Sequence, residues 1–259
     1  MVTDGRLFPL LTLLVISFEV FLQIEQAKRG KKIELKKLAA MNVFDEIVGR
    51  AVEMGRPIHF SSGIGDVAGS STSARTLGGL EILSIVAKRA ASYDAKLIAS
   101  MCQPTTYAVA EEMCKQAYIE AGHPERFGPG VVRFLSTAQY AYASSASSII
   151  VNEKCAGNIL IGSFGAESLM LAEAGNMVNA IQLGGDTIAT QIPFFVVACD
   201  YTLIGEEIFA GGAYASGDPV GLGSLAAQDF GKVVAVCIAV AGLIFKWFGS
   251  PIFTDLMKR

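Results

Sequence analysis

Short apolar runs alternate with longer helical stretches through most of the chain, from residue 57 to residue 219. The apolar runs are 57–61, 96–101, 131–135, 158–162 and 180–183, with a sixth at 193–199. Stretches of helical length or periodicity lie between them, at 74–93, 105–121, 137–153 and 166–176. Such an alternation indicates a parallel sheet covered by helices on both faces. The pattern predicts one Rossmann-like α/β domain over residues 57–231, with a leading helix at 45–54.

The composition adds a second expectation. Hydrophobic residues make up 52% of the chain, charged residues only 17%, and the mean hydropathy is +0.45. An ordinary soluble domain carries roughly 25% charged residues. The low charge therefore indicates membrane segments, surfaces buried against other chains, or both. The net charge of −3 gives no basis for nucleic-acid binding, which depends on clustered Lys and Arg.

Residues 7–24 form the first hydrophobic segment and are apolar except for Thr12, Ser17, Glu19 and Gln23. As a helix they would be about 27 Å long, close to the thickness of a bilayer core. A cleaved signal peptide would need a basic start and a small-residue cleavage site, and neither is found here. We therefore expect residues 1–26 to be an N-terminal transmembrane anchor. Glu19 would either reach the membrane interface or pair with a polar group on a neighbouring helix.

A dense basic run follows this segment: Lys28, Arg29, Lys31, Lys32, Lys36 and Lys37. Residues 27–56 are thus predicted to be a basic linker and the leading helix. By the positive-inside rule, the run places the α/β domain in the cytoplasm at the cell membrane. The five scattered cysteines agree, because unpaired thiols fit a reducing compartment.

A second hydrophobic segment, residues 233–245, lies near the C-terminus and is followed by Lys246 and Trp247. A lysine that snorkels and a tryptophan at the interface would extend its usable length. Residues 232–259 are therefore expected to form a transmembrane or membrane-associated helix. A helix buried in a protein core and a helix lying flat on the membrane are the alternatives. Membrane lipid is accordingly a predicted partner.

The turn after the first predicted strand is the best candidate for a binding motif. Gly63, Gly65 and Gly69 precede Ser70 and a helix that carries Arg75 in its first turn. Glycines permit close backbone approach, and a helix N-terminus attracts anions. The spacing matches neither the dinucleotide fingerprint nor a P-loop. A nucleotide or anion site is one interpretation, and a turn whose serines cap the helix is the other.

Carboxylates follow the later predicted strands, at Glu167, Asp186 and Asp200. Three oxygen ligands at one edge of a sheet could bind a divalent cation. The alternative is that they stabilise the N-termini of the following helices. Glu167 is also the candidate in this half of the sheet for contact with a small ligand. No catalytic residue and no cofactor are predicted.

Two segments consist largely of small, uncharged residues: 137–153 and 206–228. Such helical faces indicate buried contacts, either inside one domain or between copies of the chain. We favour a homo-oligomer, because low charge extends over the C-terminal half. The predicted function is a self-associating structural or scaffold subunit anchored in the membrane, with other membrane-complex subunits as further predicted partners. The alternative is a small-ligand binding protein or enzyme that uses the strand-end turns.

Five stretches carry a resemblance to a known family: RPIHFSSG, VVRFLSTAQYAYAS, GSFGAESLMLAEAG, PFFVVACDYTLIGEEIFAGGAYAS and GSLAAQDFGK. They resemble a family of bacterial and archaeal membrane proteins that is described only as a domain of unknown function. The likeness extends over residues 43–232, and the GAES and CDYTLIGEE segments are its most specific parts. It implies a membrane protein with a Rossmann-like α/β domain. It implies no substrate and no catalytic residues.

Overall fold

The computed structural model describes residues 7–29, 42–69, 71–216 and 219–247. The chain divides into two units, one made of Met1–Lys36 with Gly217–Arg259 and the other of Lys37–Ser216. The second unit holds all the described strands. It ends at Ser216, whereas the sequence analysis places the end of the α/β domain at residue 231. The difference arises because the last helix begins at Pro219, well before the uninterrupted apolar run.

A six-stranded parallel sheet forms the centre of the α/β unit. Its strands are β1 (Ile58–Gly63), β2 (Leu97–Met101), β3 (Val132–Phe134), β4 (Gly157–Ser163), β5 (Ile181–Asp186) and β6 (Tyr201–Ile204). The strand order is β3-β2-β1-β4-β5-β6, and every neighbouring pair is parallel. The four strands β1, β2, β4 and β5 are buried along their whole length. This confirms the α/β class predicted from the apolar runs.

Helices cover both faces of the sheet. They are α2 (Val43–Met54), α3 (Ser73–Tyr93), α4 (Pro104–Glu120), α5 (Gln139–Asn152), α6 (Glu167–Met177), α7 (Ile192–Ala198) and α8 (Glu207–Ser216). A short 3-10 helix, Pro124–Arg126, precedes β3. One core joins the sheet to α2, α3, α4 and α8, and a second core joins it to α5, α6 and α7. The two cores therefore mark two opposite faces with different sets of helices.

The leading helix α2 belongs to the α/β unit because its apolar side packs into the first core. Phe44 and Ile47 are fully buried, as expected for an amphipathic helix with apolar residues three to four positions apart. The helix ends at Gly55, whose left-handed backbone (φ 62°) lets its N–H bond the carbonyls of Ala51 and Val52.

The prediction of a strand at 193–199 is wrong, because this segment is helix α7 and the sixth strand is β6. Only Phe195 of α7 is buried, whereas Val196 and Val197 are exposed. A parallel sheet needs a connection that crosses one face between consecutive strands. The segment 193–199 supplies that crossing, so its apolar residues cover the sheet instead of joining it.

The first unit contains two helices, α1 (Leu7–Lys28) and α9 (Pro219–Trp247). In the described part of the chain, one helix is long and apolar enough to cross a membrane, Pro219–Ile244. The predicted N-terminal segment is therefore a helix, but its prediction as a transmembrane helix is not supported. The basic residues Lys31, Lys32, Lys36 and Lys37 lie outside the described residues.

Helices α1 and α9 pack against each other along an extensive contact. Gly223, in the first turns of α9, lies so close to Ile24, in the last turns of α1, that a Cβ at Gly223 would overlap the backbone of Ile24. A long contact that begins at these two ends requires the helices to run antiparallel. Glu19 of α1 accepts a hydrogen bond from Gln23 Nε2 at 2.8 Å, so its observed partner is on its own helix and not on a neighbour.

Candidate functional site

The strand order changes direction between β1 and β4, the place where open α/β sheets bind ligands beyond the carboxyl ends of their strands. Two turns meet at this place. One connects β1 to α3 and contains the glycine-rich motif, and the other connects β4 to α6 and leads to Glu167. This edge of the sheet is therefore the candidate site.

The glycines of the first turn make room for the protein's own chain. Gly63 has φ 75°, and a Cβ there would overlap the carbonyl of Ser163 at the end of β4. The next residue, Ile64, donates its N–H to the same carbonyl at 3.0 Å. A Cβ at Gly65 would overlap the side chains of Thr76 and Ser163. Both glycines thus permit the turn to lie directly against β4.

Hydrogen bonds with α4 hold the outer part of the same turn in place. Thr106 Oγ1 donates to the carbonyl of Gly65 at 3.2 Å and accepts from the N–H of Val67 at 3.2 Å. Asp66 accepts hydrogen bonds from Thr105 Oγ1 and from the N–H of Ala68, and these bonds hold the pKa of the Asp66 carboxyl below its usual value. The turn is therefore held by a helix of the first face.

The end of the turn leads into α3. The N–H of Gly69 bonds the carbonyl of Asp66 at 3.1 Å, and its carbonyl accepts from the N–H of Ser73 at 3.0 Å. Thr72 Oγ1 donates to the carbonyl of Asp66 at 3.1 Å. Ser70, a predicted ligand-binding residue, lies outside the described residues.

Arg75 forms an ion pair with Asp186 at the end of β5. Its Nη1 donates to Asp186 Oδ1 at 3.0 Å, and the two side chains are 12% and 0% exposed. The same carboxylate accepts from the backbone N–H groups of Phe164, Thr187 and Ile188 at 3.0, 2.6 and 3.1 Å. Asp186 thus ties together the turns after β4 and β5 and the start of α3. Arg75, predicted as an anion ligand, has this carboxylate as its partner.

Glu167 is fully buried at the first position of α6. Its Oε1 accepts from the N–H of Gly165 at 2.9 Å, and its Oε2 accepts from Gln139 Nε2 at 2.5 Å. The charge of Glu167 adds to burial in raising the pKa of the Cys102 thiol, at the end of β2, to about 11. Cys102 is therefore a protonated thiol at neutral pH and a weak nucleophile.

The three carboxylates predicted as metal ligands have separate partners. Asp200 Oδ2 accepts from the N–H of Gln182 at 2.8 Å, near the start of β5, whereas Asp186 lies at the end of that strand. Within the described residues no three His, Cys, Asp or Glu side chains are grouped so that they could hold a metal ion. The structure therefore gives no support to a metal site formed by Glu167, Asp186 and Asp200.

A row of buried polar side chains crosses the sheet beneath α5 and α6, and the sequence analysis missed it. His59 of β1 bonds Asn158 of β4 (Nδ1 to Oδ1, 2.9 Å) and Ser100 of β2 (Nε2 to Oγ, 3.0 Å). Asn158 Nδ2 donates to Gln182 Oε1 of β5 at 2.8 Å. All four residues are fully or almost fully buried. The signal in the sequence was a polar residue within each of four otherwise mostly apolar runs.

Burial determines the protonation of this row. It lowers the pKa of His59 from 6.5 to about 4, so the imidazole is neutral at physiological pH. Tyr142 of α5, next to the row, shares a hydrogen bond with Ser61 (2.7 Å) and donates to the carbonyl of Ser100 at 3.0 Å. Its pKa is raised by burial. The row therefore links four strands to the helical layer through neutral hydrogen bonds.

The polar groups at this edge are paired with one another. Among the described residues, no buried side-chain nitrogen or oxygen lacks a hydrogen-bond partner. Gly63 and Gly65 lie in the turn after β1, and Arg75 and Glu167 lie in the first turns of α3 and α6. Their side chains or backbone hold these adjoining segments together. These hydrogen bonds and the ion pair hold the ends of the strands together.

Comparison with known proteins gives one match. A family model described as "Domain of unknown function (DUF6754)" matches residues 1–257. No curated protein and no solved structure matches the chain.

Proposed function

This chain belongs to the DUF6754 family, and we propose that it is a membrane-anchored scaffold subunit whose α/β domain associates with further copies. In this proposal α1 and α9 lie in the cell membrane as an antiparallel pair. The α/β domain, which we assign to the Rossmann-like class from its strand order, lies in the cytoplasm. Membrane lipid and other subunits of a membrane assembly are its proposed partners.

The observation that carries the proposal is the exposure of large apolar side chains on α1. Leu13, Phe18 and Phe21 are 61%, 62% and 63% exposed. Glu19 and Gln23, two of the polar residues of the same helix, are partly buried and bond each other. Exposed apolar side chains suit a hydrocarbon surrounding, and a polar group there needs an internal partner such as the one that Glu19 has.

Helix α9 shows a matching pattern. Gly223 and Ala227, one turn apart, are buried, and small residues of this kind allow close packing between membrane helices. Val233, Val236 and Leu243 are exposed and would contact lipid. The ion pair between Lys232 Nζ and Asp229 Oδ1, at 2.9 Å, precedes the uninterrupted apolar run and would lie towards the membrane surface.

The antiparallel pair also supports a topology. The chain leaves α1 at Lys28 and enters α9 at Pro219, so the two connections to the α/β unit leave from the same end of the helix pair. In the sequence, six basic residues between 28 and 37 follow that end of α1. The positive-inside rule places such an end in the cytoplasm.

Alkaline extraction of cell membranes tests the anchor. The wild-type protein should stay in the membrane pellet after a carbonate wash, and detergent should release it. Replacing Leu13 and Phe18 of α1 and Val236 and Leu243 of α9 with Lys should move the protein to the supernatant, because a charge at a helix centre costs about 3 kcal/mol to insert. Ile119→Lys, on the exposed surface of α4, is the matched control and should stay in the pellet. Release of the wild-type protein by carbonate would overturn the proposal.

Small-ligand binding at the strand ends is the second candidate function. The change of strand order between β1 and β4 favours it, since nucleotides bind at this place in similar sheets. The internal pairing of Arg75 and Glu167 favours the scaffold. A thermal-shift screen with nucleotides, inorganic phosphate and divalent ions decides between them, because a ligand at 100 times its Kd adds about 2.7 kcal/mol of stability. The scaffold proposal expects no shift.

A further inference from the structure

The two helical faces of the α/β unit differ sharply in charge. Helices α2, α3 and α4 carry twelve charged residues on the first face. Helices α5, α6 and α7 carry two on the second face, Glu167 and Glu173, and Glu167 is fully buried. A solvated surface normally contains many charges of both signs. The second face is therefore unusual for a surface that water covers.

Apolar side chains project from the second face. Phe194, Val196 and Val197 form an exposed ridge on α7, and Val197 is 87% exposed. Tyr140, Leu169, Met170 and Met177 are exposed on α5 and α6. An apolar surface that continues over three helices marks an interaction site on a protein that is otherwise well packed.

A groove lies between α5 and α6 on the same face. Its volume is about 440 Å³, and its lining includes Ser144, Ser147, Met170 and Met177, with Glu173 as its charged side chain. Methionine adapts its shape to an apolar partner, and serine leaves room for one. The second face thus presents a ridge on α7 and a groove between α5 and α6.

We propose that two copies of this chain associate through the α5–α6–α7 face, about a two-fold axis. In a two-fold interface the same surface meets itself, so the ridge of each copy can enter the groove of the other. A charged side chain near the axis would lie close to the same side chain of the other copy, and the two like charges would repel each other. This explains why the helices of this face, unlike those of the first, carry a single exposed charge. The proposal rests on the self-association in the proposed function and names its surface.

The experiment measures the mass of the full-length protein in mild detergent by light scattering. The wild type should be a dimer or a larger even assembly at micromolar concentration. Val197→Asp places a charge on the ridge and should weaken association about 100-fold. Ile119→Asp places the same charge on α4 of the first face, where the native side chain is 46% exposed, and should leave the mass unchanged.

Each result has a defined meaning. A monomeric Val197→Asp beside an oligomeric Ile119→Asp supports the proposal. If both variants keep the wild-type mass, this face is not the interface, although self-association stands. A monomeric wild type overturns the interface and self-association together, whereas carbonate extraction still tests the anchor independently. If Val197→Asp fails to fold, Met177→Lys on α6 replaces it.

Cross-linking tests the arrangement of ridge and groove directly. Copies with Ser147→Cys are mixed with copies with Val197→Cys, both carrying Cys237→Ser because Cys237 is the exposed native thiol. A disulfide between positions 147 and 197 of different copies is the expected product. A cross-link from a control cysteine at Ile119 to position 147, at equal or higher yield, would overturn the proposed pairing.

Discussion

Arg75, at the start of α3, forms an ion pair with Asp186 at the far end of β5, although the two residues are 111 positions apart in the chain. Their contact passes the end of β4, which lies between β1 and β5 in the sheet. The carboxylate also accepts the N–H of Phe164 from the turn after β4. One buried charge pair therefore joins the ends of three strands at the place where a ligand would bind in a related fold.

Removing either partner of this pair should destabilise the protein, and Asp186 should matter more. Arg75→Met leaves the carboxylate with its three backbone donors, so we expect a loss of about 1–3 kcal/mol. Asp186→Ala leaves the guanidinium and those three N–H groups without an acceptor, so we expect about 3–5 kcal/mol. Urea unfolding in detergent measures both. Lys88→Met, which breaks the exposed pair with Glu120, should cost less than about 1 kcal/mol.

Equal losses for Arg75→Met and Lys88→Met would contradict a structural role for the buried pair. An unchanged melting temperature for Arg75→Met, together with reduced binding of phosphate or a nucleotide, would support the ligand-binding alternative instead.

The buried imidazole of His59 should make stability depend on pH. Burial lowers its pKa from 6.5 to about 4 in the folded protein. As pH falls below 6.5, the unfolded chain takes up a proton that the folded chain does not, so the contribution is complete above pH 6.5 and is lost towards pH 4. At about 1.4 kcal/mol per pKa unit, the loss approaches 3 kcal/mol.

The measurement is the free energy of unfolding of the wild type and of His59→Gln between pH 4 and 7. Carboxylates such as Asp66 and Glu153, whose pKa values are also lowered, contribute to both proteins equally. The wild type should therefore lose more stability than the variant over this range. Parallel curves for the two proteins would contradict the neutral buried histidine.

The amide row requires a glycine in the helix above it. A Cβ at Gly175 of α6 would overlap the side-chain amides of Gln182 and Asn158. Gly175→Ala should therefore destabilise the protein, by roughly 1–3 kcal/mol as for other overpacked sites. Gly49→Ala in α2 is the matched control, because no atom lies within 4 Å of its Cβ position. Alanine there should stabilise the helix by up to about 1 kcal/mol. Thermal unfolding of both variants checks the opposite signs.

The sequence was sufficient to predict five of the six strands. Four of them, β1, β2, β4 and β5, are short apolar runs that are buried along their whole length. The fifth, β3, is an edge strand in which only Val132 is buried, but it lies within the apolar run 131–135. The sequence was insufficient for β6, an edge strand with a mixed sequence, Tyr201–Ile204, that is only partly buried. The neighbouring run at 193–199 is more apolar and was chosen in its place. Its valines are exposed on α7, which periodicity over seven residues could not distinguish from a strand.

The candidate site was predicted only in outline. The strand-end rule identified the turns that carry Gly63, Glu167 and Asp186, and these turns do adjoin one another. The role of each residue depends on a distant partner: Ser163 for Gly63, Gln139 for Glu167, Arg75 for Asp186. Tertiary packing determines these pairings. The two partners are far apart in the sequence, and no spacing pattern indicates that they meet.

The topology of the anchor leads to a prediction that every functional account of this protein depends on. If α1 and α9 both span the cell membrane, the N-terminus lies outside and the α/β domain lies inside, since the basic residues follow α1 and only Arg6 precedes it. A membrane-impermeant thiol reagent applied to intact cells should label a cysteine placed at Thr3. It should not label one placed at His123, an exposed residue of the α/β unit, until the cells are lysed.

Both variants are made with Cys237→Ser, so that the exposed native thiol does not contribute, while the buried thiols of Cys102, Cys114 and Cys155 and the partly buried thiol of Cys199 remain. A third cysteine at Trp247, the last residue of α9, separates the two arrangements of that helix. Labelling at Trp247 in intact cells requires α9 to span the membrane. Protection at Trp247 with labelling at Thr3 would instead place α9 flat on the inner surface.

Because the antiparallel pair of α1 and α9 puts Trp247 at the same end as the start of α1, we expect Thr3 and Trp247 to be labelled together. Labelling at His123 without lysis would move the α/β domain outside the cell and contradict the positive-inside assignment.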